Sequence, residues 1–213
     1  MLNNFFKLFT VVFLLAMFLF PQNNFAQLTG TKTIPGDYAT LALAIADLNT
    51  QGVGAGGVTF NIAAGYTETL ANDSAGTIKA TGTVANPIVF QKSGAGANPI
   101  ITAFQWTVAT AYDGIIKIAG GDYITFDAID LQENALNTTI YTDWGYALVK
   151  ASAVTPFDGC QFVTIKNCTI TLNKTNTNSI GIYSANHIAK ATTSLTILAT
   201  TDAHNNNKFF SNT

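Results

Sequence analysis

The apolar residues of this chain change period near residue 57. Between Asp37 and Leu48, Leu41, Ile45 and Leu48 fall at helical spacing with alanines between them, and Asp37 stands where it can cap the first turn. This is the one helix the pattern predicts, a candidate lid on whatever follows. A glycine-rich stretch, Gly52 to Gly57, then leads into Val58-Thr59-Phe60-Asn61-Ile62, where Val58, Phe60 and Ile62 share one face and Thr59 and Asn61 the other. Short strand-like runs follow at 87–90, 100–101, 114–118, 123–126, 129–131, 146–149, 162–165, 168–172, 180–183 and 195–198, bounded by Gly, Asn, Asp or Pro as strands with tight turns should be. No second helix interrupts them, which argues against alternating βαβ units and for an all-β body.

An internal repeat narrows the architecture. Ile124-Thr125-Phe126-Asp127-Ala128-Ile129-Asp130-Leu131 aligns without gaps on Val163-Thr164-Ile165-Lys166-Asn167-Cys168-Thr169-Ile170: two inward apolar residues, a polar or small corner, two more. A shorter run recurs as Gly114-Ile115-Ile116, Tyr146-Ala147-Leu148 and Gly181-Ile182-Tyr183. A strand-corner-strand unit buries its apolar side only by stacking on the next coil, so the expected fold is all-β, a parallel β-helix with an N-terminal capping helix. Lys208 to Thr213 reads as the same strand and corner starting again, so the solenoid is expected to be truncated at its C-terminus and further domains of the same polypeptide are expected. Asn167 and Asn212, read as equivalent corners, suggest an asparagine ladder.

The first 26 residues stand apart. Lys7 precedes an apolar run from Leu8 to Phe20 that is short for a membrane span, and Asn24-Phe25-Ala26 offers a cleavage site before Gln27. The organisation read from the sequence is a signal peptide at 1–26, an N-terminal segment with its helix at 27–57 and β-helix coils at 58–213. This implies a secreted or cell-surface protein with no membrane span after signal cleavage. The formal net charge is −2 with no block of like charge, which excludes a basic nucleic-acid-binding surface. In an oxidising compartment Cys160 and Cys168 have two fates open, a disulfide or burial as free thiols; they do not make a zinc site.

The stretches Asp37 to Asn49, Gly57 to Ile62 with Gly65-Tyr66-Thr67-Glu68, Asn86 to Phe90, Gly121 to Phe126 and Val163 to Ile170 together resemble the pectin-lyase-like superfamily of right-handed parallel β-helices. More narrowly, they are similar to the N-terminal regions of large surface proteins exported by the type IX system. The resemblance specifies fold better than function, because the superfamily includes lyases, hydrolases, esterases, adhesins and passive stalks. Gly65-Tyr66-Thr67-Glu68 is similar to a stretch of pectin methylesterases, but the arginine those enzymes and most pectate lyases of this fold use is missing: the chain has no arginine. The Asn-Thr-Asp, Asp-Asp and Gly-His-Gly pattern of the fold's polygalacturonases is missing too, and Tyr66 and Glu68 read equally as an ordinary strand start.

Two groups of residues remain as candidates for binding. Asp122, Asp127 and Asp130, with Asp113 and Glu133 nearby, are oxygen ligands of the kind calcium takes, set against the ordinary preference of turns for Asp; no other cofactor is implied. Trp106, Tyr112, Tyr141 and Trp144, with Tyr146, flank loops at the starts of coils, where ring faces can stack on the C–H surfaces of sugars or fill loop bases. His187 and His204 read as solvated loop residues. The expected function is an extracellular β-helix scaffold or adhesin-like region, non-catalytic in these residues, that touches polysaccharide. The alternative is the N-terminal part of a polysaccharide lyase or glycoside hydrolase whose active site lies beyond residue 213.

Overall fold

The computed structural model describes residues 26–106, 114–137, 142 and 144–213. Nearly all of the signal-peptide segment, Asp113, Tyr112 and Tyr141 lie outside these residues. The chain winds into a right-handed parallel β-helix of three sheets. The first sheet stacks β1 (Leu28–Ile34), β2 (Val53–Ala63), β5 (Ile88–Ser93), β8 (Ile124–Asp127), β11 (Thr164–Lys166) and β14 (Lys208–Phe210). The second stacks β3 (Thr67–Thr69), β6 (Ile100–Thr102), β9 (Asp130–Gln132) and β12 (Ile170–Thr171). The third stacks β4 (Thr77–Ile78), β7 (Gly114–Ala119), β10 (Trp144–Lys150) and β13 (Ile180–Ile188). From β2 to β13 each coil takes one strand from each sheet in that order, with β1 before and β14 after them.

Alternation along the strands builds the core. Phe60, Phe90 and Phe126 are in register in the first sheet and stack at 4.8 Å with 10° between rings, continued by Ile165 and then Phe209. Like residues stack because each coil repeats the inward position of the one before, at the 4.7–4.9 Å spacing of paired strands. Tyr146 leans on Phe126 from the third sheet at 5.0 Å and donates its hydroxyl hydrogen to the Ile129 carbonyl at 2.8 Å, so its one polar atom is satisfied in the core. It therefore fills the interior and presents no surface.

The expected repeat of 124–131 on 163–170 is the observed register, with Thr125 opposite Thr164 and Leu131 opposite Ile170. Its corner residues, Ala128, Asn167 and Ser211, all take the left-handed conformation, with φ of 58°, 58° and 56°. Asn167 therefore aligns with Ser211. Asn212 lies one place on, where it accepts the Cys168 N–H at 3.0 Å and donates to the Ile165 carbonyl at 2.9 Å, so the expected asparagine ladder does not form. The third-sheet register also differs from the expected one: Gly114 pairs with Trp144, and Tyr146 with both Ile116 and Ile182. The run at 195–198 forms no strand, and Ile197 and Leu198 remain exposed because no neighbouring coil receives them.

Two elements at the N-terminal end were not expected in full. β1 pairs with β2 and extends the first sheet, and the glycine-rich stretch belongs to β2 rather than to a loop. Gly57 sits at φ +80°, and a Cβ there would lie 2.4 Å from the Pro87 carbonyl oxygen of the next coil, so only glycine fits. The helix, α1 (Leu41–Gln51), buries Leu41, Ala44, Ile45 and Leu48 on the coil interior. Its cap is Thr40, which accepts the Leu43 N–H at 3.1 Å; Asp37 instead closes the preceding turn by accepting from the Thr33 N–H at 2.8 Å. No helix among the described residues is long and apolar enough to cross a membrane.

Candidate functional site

Glu68 and Tyr66 have a structural part. The Glu68 carboxylate accepts the N–H groups of Leu41 and Ala42 at 2.6 and 3.1 Å and the Tyr66 hydroxyl at 2.8 Å, so it satisfies orphan donors at the start of α1. Cys160 and Cys168 are buried free thiols with no disulfide between them. Burial pushes the Cys160 thiol up to about 12, so it is not a nucleophile at neutral pH.

The three aspartates are each tied to a neighbouring coil. Asp122 accepts the Gln161 N–H at 2.7 Å, and burial pushes its carboxyl up to about 6. Asp127 pairs with Lys166 at 3.0 Å and accepts from the Asn167 amide at 2.7 Å. Asp130 accepts from the Asn98 amide and the Thr169 N–H, both at 2.8 Å. Among the described residues no group of three His, Cys, Asp or Glu side chains is gathered in the way a metal ion needs. The corners use them as acceptors for the polar atoms of adjacent coils.

The aromatic candidates are also separated. Trp106 is half-buried, with its ring edge-on to Phe104 at 5.3 Å, and its backbone N–H donates to the Asn137 amide oxygen. Trp144 is only 3 % exposed and stacks on Tyr183 at 4.1 Å, which leaves little ring surface for a sugar. His187 packs on the same group and is buried, contrary to the solvated loop expected, because β13 runs through to Ile188. Its Nδ1–H donates to the Ile188 carbonyl and its Nε2 accepts the Tyr183 hydroxyl, both at 2.8 Å. His204 likewise has both ring nitrogens engaged, so neither histidine is poised as a general base.

The outer face of the third sheet holds what the sequence reading missed. Thr77, Lys117, Ala147 and Tyr183 form one row across β4, β7, β10 and β13. Beside Thr77 and Lys117, towards the C-terminal ends of these strands, opens a cleft of about 380 Å³ whose lining includes Asn49, Thr77, Lys79, Lys117, Lys150 and Lys190. One lysine comes from each of the four coils: Lys79 just after β4, Lys117 within β7, Lys150 at the end of β10, and Lys190 just after β13. Lys117 and Lys150 are buried, held by hydrogen bonds to the carbonyls of Asp73 and Asp202, whereas Lys79 and Lys190 are exposed. Burial holds the Lys150 ammonium below its usual range. Behind the cleft Asp73 pairs with Lys190 at 3.4 Å; burial works against its charge, but the Lys117 and Lys190 ammonium groups outweigh it and keep the carboxyl below the usual range. Asn49 at the end of α1 fixes the rim by donating to the Thr77 carbonyl at 2.7 Å and accepting the Lys79 N–H at 2.7 Å.

The four lysines are staggered along the strands: Lys117 is opposite Thr77 and Ala147, two residues before Lys79 and three before Lys150, and Lys150 is opposite Ile188, two residues before Lys190, so they cross the sheet obliquely. The architecture is consistent with the pectin-lyase-like superfamily, while nothing ties the chain to surface proteins of the type IX system. The chain matches no known family model, no curated protein and no solved structure.

Proposed function

We propose that this protein is an exported, non-catalytic β-helix scaffold that holds an acidic polysaccharide along the outer face of its third sheet. The observation that carries the reading is the cleft in which four consecutive coils each place one lysine. A polymer with a carboxylate or sulfate on successive sugars crosses the cleft and meets the exposed Lys79 and Lys190, with the buried Lys117 and Lys150 adding positive charge beneath it, a multivalent contact in which each pair is weak and the array is stronger. Neutral sugars gain nothing from such a row. Further domains of the same polypeptide and release through a signal peptide belong to the same reading.

The test compares polygalacturonate and chondroitin sulfate with dextran as soluble ligands in titration calorimetry at two salt concentrations. Binding of a charged polymer that weakens as salt rises, and falls about tenfold or more in a Lys79→Glu, Lys190→Glu double variant, is the expected result. Both residues are exposed, so the variant keeps the fold. Equal binding by wild type and variant, or no binding at low salt, removes the reading; shortening of the polymer during the titration moves the protein to the lyase or hydrolase alternative.

A further inference from the structure

The backbone pairing of the solenoid starts at Leu28. Its N–H donates to the Gly52 carbonyl at 3.0 Å, and from there β1 runs in parallel along β2. Ala26 and Gln27, just before it, are exposed and lie outside every strand. A peptidase takes its substrate as an unpaired, accessible segment, and a cut between these two residues costs the sheet no hydrogen bond. A cut beyond Leu28 would instead remove a side chain that packs in the core. The cleavage expected after Ala26 thus leaves the fold whole and makes Gln27 the terminal residue of the mature chain.

A terminal glutamine carries a nucleophile and an electrophile on one residue. Its α-amine reaches its own side-chain carbonyl carbon through a five-membered ring, whereas the shorter side chain of asparagine would need a four-membered one. In this fold both groups are free. Among the described residues neither the backbone nitrogen of Gln27 nor its side-chain amide makes a hydrogen bond, because the ladder with β2 begins one residue later. There is room as well. Position 54 of β2 is glycine, and a Cβ there would lie 3.0 Å from the Gln27 Cβ and 2.7 Å from the Thr29 Cγ2. The missing side chain lets the start of β1 lie close on β2, and a lactam built from the same Cβ and Cγ needs no more space than the open glutamine.

We infer that Gln27 is a modification site, closing to pyroglutamate in the mature chain. The α-amine attacks the side-chain amide carbon, a new C–N bond forms, the bond to the amide nitrogen breaks, and that nitrogen leaves as ammonia with a proton from the amine. No oxidant, cofactor or second substrate is needed. The inference rests on the export reading, since the amine exists only once the first 26 residues are removed. Ring closure deletes the positive charge of the terminus and the free amine that aminopeptidases grip. What it guards is β1, the end strand of the first sheet, which covers the edge of β2 and buries Leu28 and Ile34.

The test expresses the whole precursor in a secreting host and examines the exported protein by intact mass, fragmentation of its N-terminal peptide and Edman sequencing. The expected result is a chain that starts at residue 27, is lighter than its open form by one ammonia and is blocked to Edman degradation. Gln27→Asn, which cannot close the ring, starts at the same residue and reads from its first cycle. A wild-type chain that starts at Gln27 and keeps its amine on incubation overturns the inference and leaves export standing, and so does an exported chain cut at another residue. A chain that retains its first 26 residues overturns the export reading itself.

Discussion

His204 ties three segments together with one ring. The Cys160 N–H donates to its Nδ1 at 2.9 Å, so the hydrogen is on Nε2, which donates to the Ala185 carbonyl at 3.0 Å. Burial holds its pKa down to about 4, against an ordinary 6.5, and the Lys150 ammonium of β10 lowers it further, with a smaller push from His187 of β13. Protonation puts a hydrogen on Nδ1 that faces the Cys160 N–H, and the bond is lost. Because the folded pKa lies below the unfolded one, the unfolded chain takes up the proton first. The contribution of His204 is therefore whole above about pH 6.5, falls as pH drops toward 4, and is gone below that, on the order of 3 kcal/mol in all. Asp122 works in the opposite sense: its carboxyl, raised to about 6 from 3.8, makes the folded state the better proton binder between those values. Wild-type stability is thus flattened across that window, and the difference between wild type and His204→Gln isolates the histidine. Urea unfolding at pH 7.5, 5.5 and 4 should show the gap between the two narrowing as pH falls; a gap constant with pH removes this account.

At the scale of the element, α1 depends on a residue in another strand. Glu68 of β3 receives two helix N–H groups and the Tyr66 hydroxyl, whereas the Thr40 cap satisfies one N–H. Glu68→Ala leaves three donors without their acceptor and should cost about 2–3 kcal/mol, against about 1 kcal/mol for Thr40→Ala. Denaturant melts that rank Thr40→Ala as the more damaging change would refute this ordering. The contrast shows what a sequence discloses. The helix was legible in Leu41, Ile45 and Leu48, but its anchor was not, since nothing local joins residue 68 to residue 41. The repeat of 124–131 on 163–170 was legible because both copies carry the same alternation across a corner. The third-sheet register was not, because Gly145 and Gly181 carry no side chain to fix the phase and Lys117 breaks the apolar run. The lysine cleft escaped for the same reason as the anchor: its four members lie one per coil, and only stacking brings them together. β1 was hidden by its composition, as Thr29, Gly30, Thr31, Lys32 and Thr33 carry no apolar alternation and become a strand only by pairing with β2.

For the whole molecule, the two ends of the solenoid differ in how they meet water. At one end α1 seals the coil interior with Leu41, Ala44, Ile45 and Leu48. At the other, β12, β13 and β14 are the last strands in their sheets, and their outer edges pair with no strand among the described residues. Phe209, in the row that continues the buried Phe60, Phe90, Phe126 and Ile165, is 42 % exposed, and Phe210 and Ile180 are 49 % and 42 % exposed. A cleft of about 490 Å³ opens beside them, lined by Ile170, Leu172, Lys174, Asn176, Ser179 and Gly181. Open backbone edges beside apolar side chains are a template for strand pairing, and the few charges there, Lys174 and Lys208, are a thin defence. A chain of residues 27–213 should therefore self-associate as its concentration rises, through this end and not through the helix-covered one. Sedimentation velocity across a concentration series reads the effect, and Phe209→Lys, Phe210→Glu should return the chain to monomer by placing charge on the edge at positions that the fold does not bury. If the unsubstituted chain stays monomeric throughout, the edge is protected in solution; if the double variant associates as strongly as the parent, the contact lies elsewhere on the molecule, and the stacked face of the last coil is not what draws the copies together.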